Sequence, residues 1–142
     1  MTPIAATATD LRALLRDVRT LAVVGCSGSP WATSHRIAGY LIHAGFEVIP
    51  VNPNHHEVLG RTCYPTVEDV PYGTQIDLVC IFRQPRYTAE MVETVLRRIA
   101  VTGERPVIWT QIGVHSQEAE RLSVEAGLPY VRNRCIMVEH AR

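Results

Sequence analysis

Five consecutive residues, Gly25-Cys-Ser-Gly-Ser29, have the small side chains and hydroxyls that a phosphate cradle requires. Ser34 is placed to cap a helix, so the segment reads as a loop entering a helix N-terminus. Free N–H groups and the positive end of the helix dipole favour an anion there. Arg36, one turn into that helix, and Arg83 with Arg86 elsewhere could add bidentate contacts to phosphate. Each of these arginines reads equally well as exposed charge at a helix start. A dinucleotide site would call for G-x-G-x-x-G and an acidic residue after the second strand. Here the glycines stand as Gly25-Cys-Ser-Gly28, and Asn52-Pro53 occupies the acidic position. There is no Walker A sequence. All fourteen basic residues are arginine, which removes Schiff-base, P-loop-lysine and lysine-base chemistry. A phosphate-bearing ligand, adenylated or not, held by a short loop is what remains.

Other reactive side chains assemble into nothing comparable. Cys26 sits where a helix dipole could lower a thiol pKa, although small-residue packing is the preferred reading. Cys63 and Cys80 read as buried filler, and Cys135 follows an arginine-rich stretch. With no CxxC, all four are expected as reduced thiols, and Cys135 with His140 lacks a second pair for zinc. His43, His55, His56 and His140 are scattered. His115 falls near the expected cleft but suits helix capping better. No Ser-His-Asp, carboxylate dyad or HExxH spacing argues for catalysis.

The elements that must position these residues alternate. Helical spacing of Leu11, Leu14, Leu15 and Val18 predicts a helix over residues 9–18, following a flexible lead over 1–8. Leu21–Val24 reads as a strand. Ile37, Ala38, Leu41 and Ile42 mark a helix stopped by Gly45. Glu47–Val51 is the next strand, in which Pro50 is awkward for a central position. A short edge strand near Cys63-Tyr64 and a helical turn at Val67–Asp69 follow. Ile76–Phe82 is an almost unbroken apolar run, suited to a sheet covered on both faces. Met91, Val92, Val95, Leu96 and Ile99 form one face of a long helix that ends before Gly103. Val107–Trp109 is a strand, Ala119, Leu122 and Ala126 mark a helix ending at Gly127, and Tyr130-Val131 is a last strand before a polar tail. This alternation predicts an α/β fold, a doubly wound parallel sheet of five to six strands, with residues 1–142 forming one Rossmann-like domain. In such sheets the ligand lies outside the carboxyl ends of the strands. That nominates Gly25 to Ser29, Asn52-Pro53, Arg83 to Arg86 and Thr110 to Gly113.

Composition agrees with this. The 15.8 kDa chain is expected to expose about 7,000 Å² folded against about 23,000 Å² unfolded, enough burial for a core without staples. Its residues are 46% hydrophobic and 20% charged, with fourteen basic residues balancing fourteen acidic ones. The balance argues against non-specific binding to nucleic acid or anionic membranes. The short apolar runs argue against a membrane-spanning helix. The N-terminus has no signal-peptide pattern, so a cytoplasmic protein is expected.

Taken together, Val24-Gly-Cys-Ser-Gly28, Val48-Ile-Pro-Val-Asn-Pro53, Asp77-Leu-Val-Cys-Ile-Phe-Arg83, Trp109-Thr-Gln-Ile-Gly113 and Asn133-Arg-Cys-Ile136 with Glu139 resemble the small bacterial and archaeal CoA-binding proteins. These are similar to the CoA-binding domain of the succinyl-CoA synthetase alpha subunit. The resemblance spans about residues 10–140, and Pro-Val-Asn-Pro is the family's own second-strand ending. It implies coenzyme A or an acyl-CoA across the carboxyl edge, in a non-catalytic or regulatory role. Gly25, Cys26, Ser27 and Ser29 would line the phosphate end with Arg36 nearby. Asn52 and Pro53 would border the nucleotide, Phe82 and Arg83 the middle of the ligand, and Trp109, Gln111 and Gly113 the far lip. Trp109 also reads as a buried strand tryptophan. Two departures from the family stand out: Cys26 replaces a common aliphatic residue, and Trp31-Ala-Thr33 is apolar where charge is common. The alternative is a small nicotinamide-dinucleotide oxidoreductase-like domain. A partner protein or a second copy is compatible with either.

Overall fold

The computed structural model describes residues 8–142. The flexible lead expected over residues 1–8 therefore lies, except for Ala8, outside the described residues. The elements are α1 (Ala8–Arg16), β1 (Thr20–Val24), α2 (Thr33–His43), β2 (Glu47–Val51), β3 (Glu57–Val58), β4 (Arg61–Thr62), β5 (Leu78–Ile81), α3 (Pro85–Thr102), β6 (Val107–Thr110), α4 (Gln117–Glu125), β7 (Tyr130–Val131) and α5 (Ile136–Ala141). A 3-10 turn spans Val67–Asp69, closed by a capping box between Thr66 and Asp69.

Five strands form one parallel sheet in the order β2-β1-β5-β6-β7. The fold is the doubly wound α/β architecture that the sequence predicts. Alternate strand residues face opposite ways and build two cores. Leu21, Val23, Leu78, Cys80 and Trp109 pack with residues of α1, α2 and α5. Ala22, Val24, Val79, Ile81 and Ile108 pack with α3, α4 and the 3-10 turn. Burial on both faces explains the nearly continuous apolar strands. The accessible surface, 7233 Å², agrees with the roughly 7,000 Å² that its mass predicts.

Several local expectations change. α1 ends at Arg16 rather than Val18, because Asp17 and Val18 close the last turn with tighter bonds to Leu14 and Leu15. Pro50 lies on the edge strand β2, where a missing N–H costs no ladder bond. Its carbonyl accepts from Tyr64 N–H, so the stretch read as a short edge strand adds one bridge outside β2. Beyond β7 the polar tail folds as α5, buried at Ile136 and Glu139. Strand order reverses between β1 and β5, since the chain runs outward from β1 to β2 and then returns to the other side of β1, and the loops after β1 and β5 flank a crevice there.

Candidate functional site

Gly25 ends β1 with φ +84°, a left-handed conformation that suits glycine. Its N–H donates to Val51 O at 2.9 Å, and a Cβ here would come within 3.3 Å of Arg83 Cδ. The loops after β1 and β5 are therefore in contact, backbone against arginine stem. Two cavities open on either side of this contact. One, of about 230 Å³, is walled mainly by Val24, Pro53, Pro65, Val67 and Met91, with Thr66, Glu90 and Thr94 at its margin. The other, of about 400 Å³, is polar and lies among Asn52, Asn54, Phe82, Gln84, Arg86 and Tyr87. Gly25 and Arg83 line both. The Arg83 Nε is buried without a hydrogen-bond partner, a cost of roughly 1–3 kcal/mol for a donor removed from water. The guanidinium lies 4.7 Å from the Tyr87 ring centroid, and that of Arg86 lies 4.8 Å from the same ring.

The loop from Cys26 to Ser29 is braced internally. Ser27 N–H donates to Ser34 Oγ at 2.9 Å, and Ser29 N–H donates to Ser27 Oγ at 3.0 Å. His35 Nδ1 lies 2.8 Å from Ser27 O. Ser34 is therefore not the expected cap: α2 begins at Thr33 with Ala32 at its cap position, and the Ser34 hydroxyl, inside the helix, holds the loop. The first intrahelical bond is Arg36 N–H to Ala32 O, so the amides of Thr33, Ser34 and His35 have no acceptor within the helix. The His55 ring sits over the loop, so close that a Cβ on Gly28 would meet it at 2.9 Å. Trp31 stands at the head of α2, 88% exposed.

The structure does not bring every nominated side chain to the crevice. Cys26 is 0% exposed and packs into the core. Its thiol is pushed up to about 12 by burial, with Cys63 nearby adding to the effect. Its carbonyl accepts from Asn52 Nδ2 at 3.0 Å, while Asn52 Oδ1 accepts from Asn54 N–H at 2.9 Å. Trp109, also 0% exposed, donates its indole N–H to Arg134 O at 2.8 Å. Gln111, 5% exposed, accepts Ile136 N–H at 2.9 Å and the Cys80 thiol at 3.6 Å. Trp109 and Gln111 hold neighbouring backbone in place and Cys26 fills the core, so none of the three side chains is presented at the crevice. Gly113 is exposed with φ +86°, and its N–H reaches Asn133 Oδ1 at 3.3 Å. Ser29 and Arg36 are exposed beside the loop. His115 does not cap α4, because Ser116 Oγ accepts Ala119 N–H. Instead, the His115 ring contacts Tyr130 OH at 3.0 Å. All four cysteines are free thiols.

Sequence reasoning missed the α3 wall of the smaller cavity (Glu90, Met91, Thr94) and the ring of Tyr87. The rule that ligands sit after strands nominates loop residues, whereas these lie inside a helix. A signal was present: Glu90 and Thr94, at i and i+4, set polar groups beside Met91 on a helix face that otherwise reads as core.

Residues 19–141 match the protein family described as CoA binding domain. The chain is 33% identical over 132 residues to the uncharacterized protein YneT of Bacillus subtilis (strain 168), covering 93% of each. It is 28% identical over 114 residues to acetate–CoA ligase [ADP-forming] II of Archaeoglobus fulgidus, covering 79% of this chain but 16% of that enzyme. Among solved structures, a hypothetical protein from Pyrococcus horikoshii OT3 superposes with a TM-score of 0.88 at 39% identity, covering 100% of this chain and 96% of that one.

Proposed function

We propose that this chain, which belongs to the CoA binding domain family, binds coenzyme A or an acyl-CoA across the carboxyl edge of its sheet and performs no chemistry of its own. The observation that carries this reading is the pair of cavities meeting at Gly25 and Arg83, at the reversal of strand order. A narrow apolar space beside a wider polar one suits a ligand with a flat base, a ribose and phosphates. The base would lie among Pro53, Val67 and Met91. Asn52, fixed by its own two hydrogen bonds, would border the ribose. The open amides at the start of α2, with Ser29 and Arg36 beside them, would meet the diphosphate. Arg83 would supply charge from the opposite bank, next to Phe82.

The test is a side-by-side thermal-shift and calorimetric titration with CoA, acetyl-CoA, NAD and NADP. CoA and acetyl-CoA should each stabilise the protein and bind saturably. Stabilisation by NAD without stabilisation by CoA would overturn the reading.

A further inference from the structure

We infer that the cavity between α1 and α5, lined by Arg12, Leu15, Arg16 and His140, is a binding site for a small organic dicarboxylate. The inference stands apart from the CoA reading, because none of these residues lines either crevice cavity.

Convergence on one space is the first ground. α1 packs against α5, and the cavity beside their contact measures about 270 Å³. Arg12, Leu15 and Arg16 stand at i, i+3 and i+4, so they share one face of α1. Leu15 is buried and gives that face an apolar wall, while both arginines are exposed. Asp10 and Asp17 lie about 100° or more around the helix from either arginine. Asp17 lines a different cavity, with Asp77 and Glu104 at the amino edge of the sheet. Glu139, next to His140 on α5, is buried and held by Arg142 at 3.0 Å and Arg134 at 3.6 Å. The cavity lining is therefore cationic, with no carboxylate in it. Two arginines spaced i, i+4 repel each other, and a bound dianion relieves that repulsion.

The second ground is the histidine. Tyr40 OH lies 2.7 Å from His140 Nδ1, and the rings of Tyr40 and Phe46 meet the imidazole edge-on, with centroids 5.6 and 5.3 Å away. The ring is thus fixed before any ligand arrives, and Nε2 has no hydrogen-bond partner among the described residues. With Tyr40 donating to Nδ1, Nε2 carries the proton and is a donor. Two guanidinium forks match two carboxylates, and the imidazole N–H adds a third contact. Leu15 and the imidazole ring give a carbon framework an apolar surface that inorganic phosphate cannot use. A space of about 270 Å³ falls below the usual range for drug-sized ligands, roughly 300–1,000 Å³, so the ligand has only a few carbons.

Isothermal titration of the full chain with malonate tests this, with propionate and inorganic phosphate alongside at constant ionic strength. Malonate should bind saturably and roughly tenfold more tightly than propionate, the effect of one charge-assisted pair. Arg12→Gln and Arg16→Gln should each weaken malonate by roughly fivefold or more. His140→Phe, which keeps a ring between Tyr40 and Phe46, should weaken it as well. Arg19→Gln removes the same charge from an exposed position outside the cavity and should leave the affinity unchanged. No saturable malonate binding, wild-type affinity in any of the three site variants, or equal weakening by Arg19→Gln overturns the inference. Phosphate binding as tightly as malonate overturns the assignment to a dicarboxylate. Each of these outcomes is independent of whether CoA binds at the crevice.

Discussion

At Gly25 two constraints coincide. Its φ of +84° is one that L side chains reach at a cost of about 1–3 kcal/mol, and the space where a Cβ would go is bounded by Arg83 Cδ and the Phe82 backbone and Cβ. Gly25→Ala should therefore lower stability by about 1–3 kcal/mol in chemical denaturation. It should also weaken CoA binding, because the arginine stem must shift. Unchanged stability and affinity would show that the β1–β5 contact is slack. The glycine loop was legible from the sequence because small residues before a helix have a direct geometric meaning. Cys26, Trp109 and Gln111 were not, because residue type does not say which way a side chain leaves the end of a strand. Each points into the core, and Trp109 and Gln111 bond backbone that arrives from 25 residues later.

Among the elements, the segment from the 3-10 turn to β5 owes its course to one buried ion pair. Arg98, 2% exposed, reaches out of α3 to the carbonyls of Val67, Val70, Pro71 and Thr74. It also bonds Glu104 at 2.7 Å. Glu104 accepts Ile76 N–H at 2.7 Å and Thr102 Oγ1–H at 2.8 Å. Burial alone would push the Glu104 carboxyl up, but the Arg98, Ile76 and Thr102 bonds outweigh it and hold the group below its ordinary value. Arg98→Ala leaves a buried carboxylate and several carbonyls unpaired, and should cost about 3–5 kcal/mol by denaturant titration. A glutamate lowered in the folded state stabilises above its unfolded value, about 4.3. That contribution is lost as pH falls through the folded value. Glu104→Gln should thus be less stable than wild type at neutral pH, and the gap should narrow in acid. A gap that stays constant down to pH 3 would show that the carboxylate is not what holds the segment. The five strands of the main sheet were legible as short apolar runs and the four longer helices by their period, whereas the two-residue strands β3 and β4 fall in a stretch that reads as loop. The six-residue α5 was hidden in a polar tail, since its helicity comes from burying Ile136 and Glu139 and not from local pattern.

For the whole molecule, α2 and α3 lie on opposite faces of the sheet, yet both begin at the crevice. A ligand bridging them would stabilise both cores together. CoA at one hundred times its dissociation constant should then raise the unfolding free energy by about 2.7 kcal/mol, with one cooperative transition retained. A rise confined to part of the transition would mean that only one face responds. The layered architecture was readable, because near-continuous apolar strands alternating with amphipathic helices admit few other arrangements. The meeting of two cavities at an arginine was not, since it depends on how closely two loops approach.

The two tryptophans occupy opposite extremes, Trp109 sealed beneath the sheet and Trp31 almost fully solvated at the head of α2. The protein thus contains a pair of independent fluorophores. Acrylamide should quench Trp31 and spare Trp109, so the shielded emission follows unfolding while the quenchable emission follows events at the loop.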